Sequence, residues 1–393
     1  MKRSMERMLT THVGSLPRPT QLLDVMREKE NDRPYDHDEF ARLVREAVAG
    51  VVRKQAECGL DVVTDGEMGK VTFATYFNER LSGFEPRGET YSTRVGSWSL
   101  EAAAFPDYYA DYFQKYRSTV SQLRPLVCTG PVGYTGQAAV RTDIENLNSA
   151  LAQVDVQEAF MPATIPLVIG DNQYYSSEDD LREAVTEAMR EEYRAILDAG
   201  LVLQIDDPGL IEILNEDPAR PIEERRRRAA AHVEEVNHAL RGLATERIRV
   251  HVCYGLNSGP RVHDASFAEV APFMLRINAG AYSFEFANPR HMHEWKVWEH
   301  TRLPDDKVLI PGMISHGHSF VEHPELIADL LETFARLVGR ENVIAGADCG
   351  FSSRATYKPE VPPSVVWAKF ESLAEGARLA TQRLWAAPAT DWR

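Results

Sequence analysis

The chain has 393 residues, enough for one large α/β barrel with insertions or for two ordinary domains. Hydrophobic residues make up 44% and charged residues 26%, the balance of a soluble globular protein, and the formal net charge of −15 argues against non-specific binding to nucleic acid or anionic membranes. No apolar stretch approaches the roughly 20 residues that span a bilayer, and the basic N-terminus has no apolar core of a secretory signal behind it. Cys58, Cys128, Cys253 and Cys349 lie too far apart for a small disulfide framework. A reducing, cytoplasmic compartment is therefore expected, in which Cys253 and Cys349 are available as thiolates.

Short apolar runs alternate with longer amphipathic segments. In chain order the expected strands are Leu9–Ser15, Leu60–Glu67, Leu126–Gly133, Ala159–Pro166, Leu201–Asp207, Ile248–Tyr254, Ala281–Phe286, Val308–Ile314 and Val343–Asp348. Between them, helical periodicity marks Asp38–Glu57, Ser177–Ala199, Ile222–Leu243, Pro324–Val338 and Val365–Leu384, with Ser176 or Ser177 as an N-cap and Gly200 as a stop. Strand–helix alternation predicts parallel pairing with helical crossovers, and no Gly-x-Gly-x-x-Gly turn marks a doubly wound sheet. The expectation is an α/β protein, a single (β/α)8 TIM-barrel domain over residues 1–393, with functional residues at the strand C-termini.

Nine runs are one too many for such a barrel. Ala159–Pro166, bounded by proline and short of β-branched residues, is the weakest. The stretch 69–124 is aromatic-rich, with Phe73, Tyr76, Phe77, Trp98, Phe105, Tyr108, Tyr109, Tyr112 and Phe113, and reads as an insertion after the second strand that folds over the barrel mouth. Arg225–Arg228 is flanked by Glu223, Glu224, Glu234 and Glu235 and reads as a solvated helix face.

His251 and Cys253 end an apolar run in Arg-Val-His-Val-Cys-Tyr-Gly. A strand alternates its side chains, so this pair projects from one face and can bind one metal ion. Cys349, in Ala-Gly-Ala-Asp-Cys-Gly-Phe, and Glu285, in Tyr-Ser-Phe-Glu-Phe-Ala, also stand near strand ends. Together they make a donor set suited to zinc, and ligands drawn from separate strands fit a barrel mouth better than a small zinc finger. Taken singly, each has a plainer reading: cysteine as a small buried hydrophobe, glutamate as a loop contact.

Six segments then follow one another in order: Thr11–Arg18 (Thr-His-Val-Gly-Ser-Leu-Pro-Arg), Thr64–Glu67 (Thr-Asp-Gly-Glu), Gly130–Val132, Gln204–Pro208 (Gln-Ile-Asp-Asp-Pro), His251–Cys253 and Asp348–Gly350. Together they resemble the catalytic half of cobalamin-independent methionine synthase and its single-barrel relatives, over nearly the whole chain. The resemblance implies a zinc-dependent barrel enzyme that transfers a methyl group to a thiol, homocysteine giving methionine, with methyltetrahydrofolate or a methylcorrinoid as donor. It makes His251, Cys253, Glu285 and Cys349 the zinc ligands. Ser15 then contacts the homocysteine carboxylate, and Glu67 and Asp206 grip its ammonium. That division suits the chemistry, since two carboxylates can hold one cation and a Gly-Ser turn offers donors to an anion. The plainer readings are an Asp206-Asp207-Pro208 turn and a Glu67–Lys70 pair.

In that family a loop histidine gives the proton to the leaving group. The aligned position here is Gly317, flanked by His316 and His318, and His316 is favoured because it lies nearest the strand end. His291 and His293 are further candidates. Tyr134 stands near where the family has a tryptophan beside the folate, as a residue that could stack on a pterin. Ser315-His316 also resembles the epoxyalkane:coenzyme M transferases, the alternative reading, in which a thiol opens an epoxide. That substrate carries a sulfonate and no ammonium, so Glu67 and Asp206 speak against it. The expected partners are a small-molecule thiol and a methyl donor, with no nucleic acid and no membrane; a homo-oligomer is left open.

Overall fold

A computed structural model describes residues 1–73, 75–86, 99–116, 119–120, 126–168, 170–215, 220–255 and 259–386. Eight parallel strands form its centre: β1 (Leu9–Thr10), β2 (Val62–Val63), β3 (Glu158–Thr164), β4 (Val202–Asp207), β5 (Ile248–Val252), β6 (Ala281–Phe284), β7 (Val308–Ile314) and β8 (Ile344–Ala347). Their order is β1-β8-β7-β6-β5-β4-β3-β2, each neighbour parallel. The two ends of that order meet where Asp61 N donates to Thr10 O at 3.2 Å and the Thr11 hydroxyl donates to Val62 O at 3.1 Å. The sheet thus curls into a nearly closed (β/α)8 TIM barrel, as the alternation of the sequence predicts.

Every residue of β4, β5 and β7 is buried, as expected for strands covered on both faces. Alternation then sorts their side chains. Leu203, Ile205, Val250, Val252 and Leu309 join the large apolar layer under the surrounding helices, while Val202, Phe160, Val308, Ile310 and Ile344 belong to two small clusters separate from it, inside the barrel. Farther along, the same inward register carries Gln204, Asp206, Arg249, His251 and Ser283. The barrel is therefore apolar at its base and polar toward the strand C-termini, where chemistry is placed in this architecture.

The helices lie close to their expected bounds: His37–Glu57, Glu178–Asp198, Ile222–Leu240, Pro324–Val338 and Pro363–Ala386. Ser177 caps the second of these by accepting from Asp180 N at 3.1 Å. In Ile222–Leu240, Arg226 pairs with Glu223 and Glu269, the solvated charge face expected of the arginine run. No helix among the described residues is long and apolar enough to cross a membrane.

The surplus strand is not the one the sequence marks as weakest. Ala159–Pro166 supplies β3, whereas only Leu126–Cys128 of the earlier run is extended, in a separate small sheet with Phe84–Pro86 and Asp171–Asn172. Pro162 is tolerated in β3 because its neighbour β2 pairs only at Glu158 and Ala159 and has ended by then. The connection from β2 to β3 carries the aromatic insertion. Phe73 N donates to Ser353 O (3.2 Å) and Val120 N to Ala355 O (2.9 Å), which fasten it to the loop after β8. Tyr109 and Tyr112 are buried; Trp98 lies outside the described residues.

Gly312 shows how tightly β7 and β8 approach. It pairs with Gly346 at a register irregularity, and a Cβ there would fall 2.7 Å from the Asp348 backbone. Gly312→Ala is expected to destabilise the barrel by about 1–3 kcal/mol, the usual range for overpacking, measurable by urea unfolding. A wild-type midpoint in that variant would show that the strands part at no cost.

Candidate functional site

Three donors meet at the mouth of the barrel. His251 is in the last turn of pleat of β5, Cys253 follows it on the same face, and Cys349 arrives from the loop after β8. One imidazole nitrogen and both sulfurs lie within 4.8 Å of one another, and the sulfurs are 3.4 Å apart. Two sulfurs of a tetrahedral zinc site with bonds near 2.3 Å stand about 3.8 Å apart, so only a small adjustment separates this pair from a metal-bound one. His251 Nδ1 is 3.2 Å from the Ser283 hydroxyl, whereas its buried Nε2 has no hydrogen-bond partner. A second partner that fixes the ring and leaves the other nitrogen free is the usual arrangement of a metal-binding histidine. Burial, reinforced by Arg249, pushes the imidazole down to about 3 and keeps it neutral, as a ligand must be. Gly255 N–H points at the Cys253 sulfur at 3.3 Å. The hydrogen bond with Cys253, together with burial, holds the Cys349 thiol well above its usual range, so a cation is needed before it ionises. By donor chemistry and by the orphaned nitrogen, these residues fit zinc.

Glu285, one residue past β6, is not drawn into that trio. Its Oε1 accepts from Tyr254 N and its Oε2 from Arg261 Nη2, each at 3.1 Å. It lies instead with His316 and Asp348, their ligand-type atoms within 4.8 Å of one another. Asp348 Oδ1 accepts from Phe286 N and Ala287 N, both at 2.7 Å, while its Oδ2 has no partner. Burial and the nearby Glu285 raise Asp348 to about 7.

His316 is buried, and neither ring nitrogen makes a hydrogen bond of good geometry. Burial first, and Arg261 second, push it down to about 3. Its loop is fixed from behind: Glu322 accepts from Ser315 N (2.8 Å) and from Lys369 Nζ (2.8 Å), the lysine being wholly buried in the helix Pro363–Ala386. His318 is partly exposed beside Glu322, at 3.7 Å. Of the two loop histidines, His316 is thus the one that reaches the buried cluster. His291 is committed elsewhere; burial opposes its charge, but Asp264 (3.1 Å) and Glu294 (2.7 Å) outweigh it and raise the ring to about 9. His293 is exposed.

A narrow cleft opens onto the trio and brings Ser15, Glu67 and Asp206 to the same space as His251, Cys253 and Cys349, with Val13, Phe73 and Pro208 as apolar wall. Glu67 follows Gly66 in a left-handed turn (φ +56° for Glu67), where Asp65 accepts its N–H at 2.9 Å and Arg18 holds its carbonyl at 2.8 Å. Its Oε2 is buried without a partner, and Lys70 turns away to the Pro162 carbonyl, so no Glu67–Lys70 ion pair forms. Burial raises Glu67 to about 7; burial and Glu67 together raise Asp206 well above the usual carboxylate range. A cation beside both carboxyls would offset the burial that disfavours their charges. The adjacent aspartates divide by strand alternation: Asp206 faces the cleft, while Asp207 accepts from Leu210 N (3.1 Å) and His232 Nε2 (2.9 Å) outside the barrel. The Ser15 hydroxyl lies 3.1 Å from that of Ser353 and accepts from Ser352 N at 3.4 Å.

Arg249, Arg261 and Ser353 lie outside the six motif segments, and Arg18 and Asp348 lie within them without an assigned role. Arg249 is buried inside the barrel with Nε on Gln204 Oε1 (2.7 Å) and Nη1 on the Thr11 hydroxyl (2.9 Å), beneath Asp206. Asp348 and Ser353 flank Cys349 in sequence, a signal that proximity to a candidate ligand provides; nothing in the local sequence singles out Arg261. Tyr134 is buried with its hydroxyl on Glu192 at 2.6 Å, in a group with Tyr76 and Arg80, and is not among the side chains lining the cleft.

Residues 8–160 match the profile of the family described as the catalytic domain of cobalamin-independent synthase. Proteins named methionine synthase from Saccharolobus islandicus and Sulfolobus acidocaldarius are each 24% identical to this chain, over 381 and 379 residues, covering 95% of it and 95% and 93% of their own lengths. Among solved structures, a B12-independent methionine synthase from a Shewanella species, in complex with selenomethionine, aligns with a TM-score of 0.71 at 19% identity, covering 97% of this chain and 100% of that one.

Proposed function

We propose that this chain, like the cobalamin-independent synthases whose catalytic-domain profile its residues 8–160 match, is a zinc-dependent methyltransferase that moves a methyl group onto the sulfur of homocysteine, giving methionine. The observation that carries this reading is one cleft holding two kinds of recognition: a carboxyl pair for an ammonium, Glu67 and Asp206, beside a soft donor trio for a thiol-activating metal, His251, Cys253 and Cys349. Zinc held by that trio would lower a thiol from its ordinary pKa near 8.5, so that a nucleophilic sulfur persists at neutral pH.

The rest falls to the chain's own side chains. Glu67 and Asp206 receive the amino group, whose charge restores both carboxyls to their ionised state. The hydroxyls of Ser15 and Ser353, bonded to each other without substrate, turn to the substrate carboxylate. Val13, Phe73 and Pro208 exclude water along the carbon chain. With methyltetrahydrofolate as donor, His316 would relay a proton to the departing nitrogen, taking one from solvent at its other ring nitrogen as it gives one up, while a methylcorrinoid would depart without needing it.

The reading is tested by titrating homocysteine and coenzyme M separately into zinc-loaded protein and following proton release. Homocysteine is expected to release a proton on binding and coenzyme M to respond weakly, because it has no ammonium for Glu67 and Asp206. An equal or stronger response to coenzyme M would favour the epoxide-opening alternative, whereas silence with both thiols would sink the transferase reading. His316→Asn is expected to lower kcat by about 10²–10⁴ while homocysteine affinity holds. Unchanged turnover would move the proton-donor role elsewhere.

A further inference from the structure

Arg18 ends the first motif segment, between Pro17 and Pro19. A residue before proline is confined to extended backbone conformations, and the helix Thr20–Glu30 begins directly after Pro19, so the side chain is presented from a stiff stretch of chain. Its guanidinium is buried and donates to three main-chain carbonyls: Nη1 to Ser352 O at 2.9 Å, and Nη2 to Glu67 O at 2.8 Å and Lys70 O at 2.6 Å. One side chain from the loop after β1 thereby ties together the loops after β2 and β8. The same three loops carry Ser15, Glu67 and Ser353 into the cleft.

The tie matters most at Glu67. Its φ of +56° is a left-handed conformation that a β-carbon makes costly and that persists only where the surroundings fix it. Asp65 Oδ1 fixes the N–H side of the residue at 2.9 Å, and Arg18 fixes the carbonyl side. The turn sets the carboxyl against Gly14, where a β-carbon would stand 2.9 Å from Glu67 Oε1, while Lys70 is spent on the Pro162 carbonyl. A planar guanidinium with five N–H groups can hold carbonyls of two loops in one geometry; an ammonium on a flexible stem lacks that fork. Burying a cation against carbonyls alone is costly, and what it secures here is position.

We propose that Arg18 is a positioning residue that sets selectivity for an amino-acid thiol: by clamping the strained Glu67 turn to the loop after β8, it keeps the Glu67 carboxyl where an ammonium meets it together with Asp206. The inference rests on the reading of the cleft as a homocysteine site. It adds to the residues that touch the substrate one that acts only through them.

The test compares zinc-loaded wild type, Arg18→Met and Arg18→Lys with two thiols, homocysteine and γ-mercaptobutyrate, which is the same chain without the amino group. Wild type is expected to prefer homocysteine by about tenfold or more, the effect of a charge-assisted hydrogen bond. In Arg18→Met that ratio should fall about tenfold, to near unity, because a displaced carboxyl loses the short distance such a bond needs. The ratio isolates the ammonium, since any shift of the Ser352–Ser353 loop weakens both thiols alike. Arg18→Lys keeps the charge without the fork and should give an intermediate ratio. Amide hydrogen exchange, read by mass spectrometry without any thiol, should quicken across residues 64–70 in Arg18→Met.

An undiminished ratio in folded Arg18→Met would overturn the proposal. A lost ratio with wild-type exchange over the Glu67 turn would overturn it as well, by assigning the effect to the charge and not to the clamp. If Arg18→Met does not fold, Arg18→Lys decides alone, and a wild-type ratio there is the overturning result. Equal affinity of wild type for the two thiols is a separate failure, visible before any substitution: it removes Glu67 from ammonium recognition and sinks the homocysteine reading together with the proposal.

Discussion

Cys349→Ser is expected to abolish stable zinc binding while leaving the barrel folded. Cys349 is buried, yet neither it nor Cys253 belongs to the apolar clusters that pack the barrel and its helices, unlike Cys58 and Cys128. The serine is smaller than the cysteine it replaces, so no overpacking follows, and its hydroxyl does not ionise to a ligand at neutral pH. Loss of a direct ligand should exceed the 10–100-fold effect of outer-shell changes, so a drop in zinc affinity of more than about 100-fold is expected. Metal-free wild type and metal-free variant should unfold within a few degrees of each other. Zinc at about 100 times its Kd should stabilise wild type by about 2.7 kcal/mol and leave the variant unmoved. Calorimetry with and without zinc reads both quantities. Full zinc content in the serine variant would show that the ligands are wrongly assigned.

The second large effect concerns the carboxyl pair. Combining Glu67→Gln with Asp206→Asn should weaken homocysteine by at least about 100-fold, since each charge-assisted hydrogen bond contributes about 1.5–3 kcal/mol. It should leave zinc binding intact, which separates it from the cysteine variant. A pH dependence follows from the same pair. Native Glu67 keeps its proton up to about 7, whereas an unfolded glutamate releases it near 4.5. Between those values the native state binds more protons than the unfolded state, so this group's contribution to stability is full below about 4.5 and declines as the pH rises through about 7. Asp206, also raised, acts in the same direction. Homocysteine should reverse the trend, because its ammonium favours the ionised pair: the melting-temperature rise caused by the amino acid should grow from about pH 6 to pH 8 and vanish in the double variant. A ligand-induced shift that is flat with pH would remove these two acids from the ammonium site.

Much of this could be read in the sequence because it depends on periodicity and strand alternation. His251 and Cys253 share a face for the same reason that Asp206 and Asp207 do not, and both facts follow from a period of two. What alternation cannot report is which sheet a run of β-branched residues joins. Leu126–Cys128 has the better strand composition, yet it pairs with Phe84–Pro86 outside the barrel, while proline-containing Glu158–Thr164 is taken into it. Pairing partners decide that, and they lie far away in the chain. The ionic partners of the site escape for a similar reason. Arg261 meets Glu285 across 24 positions and Glu101 across 160, and no local pattern around Pro260-Arg261-Val262 announces either contact.

The pairing of β1 with β8 carries a consequence for the protein's synthesis. Leu9 and Thr10 wait for Ile344 and Ala345, and the Ser15 carbonyl and hydroxyl wait for Phe351 and Ser353. On a ribosome the first strand therefore spends almost the whole of translation without its second neighbour, as an open edge of high contact order. The cleft of Ser15, Glu67 and Asp206 and the cluster of His251, Cys253 and Cys349 do not exist in the nascent chain. They come into being together in one late step, when the eighth strand closes the ring and delivers Cys349 to a His251–Cys253 pair made long before. Zinc capture and barrel closure should consequently appear as a single kinetic phase during refolding.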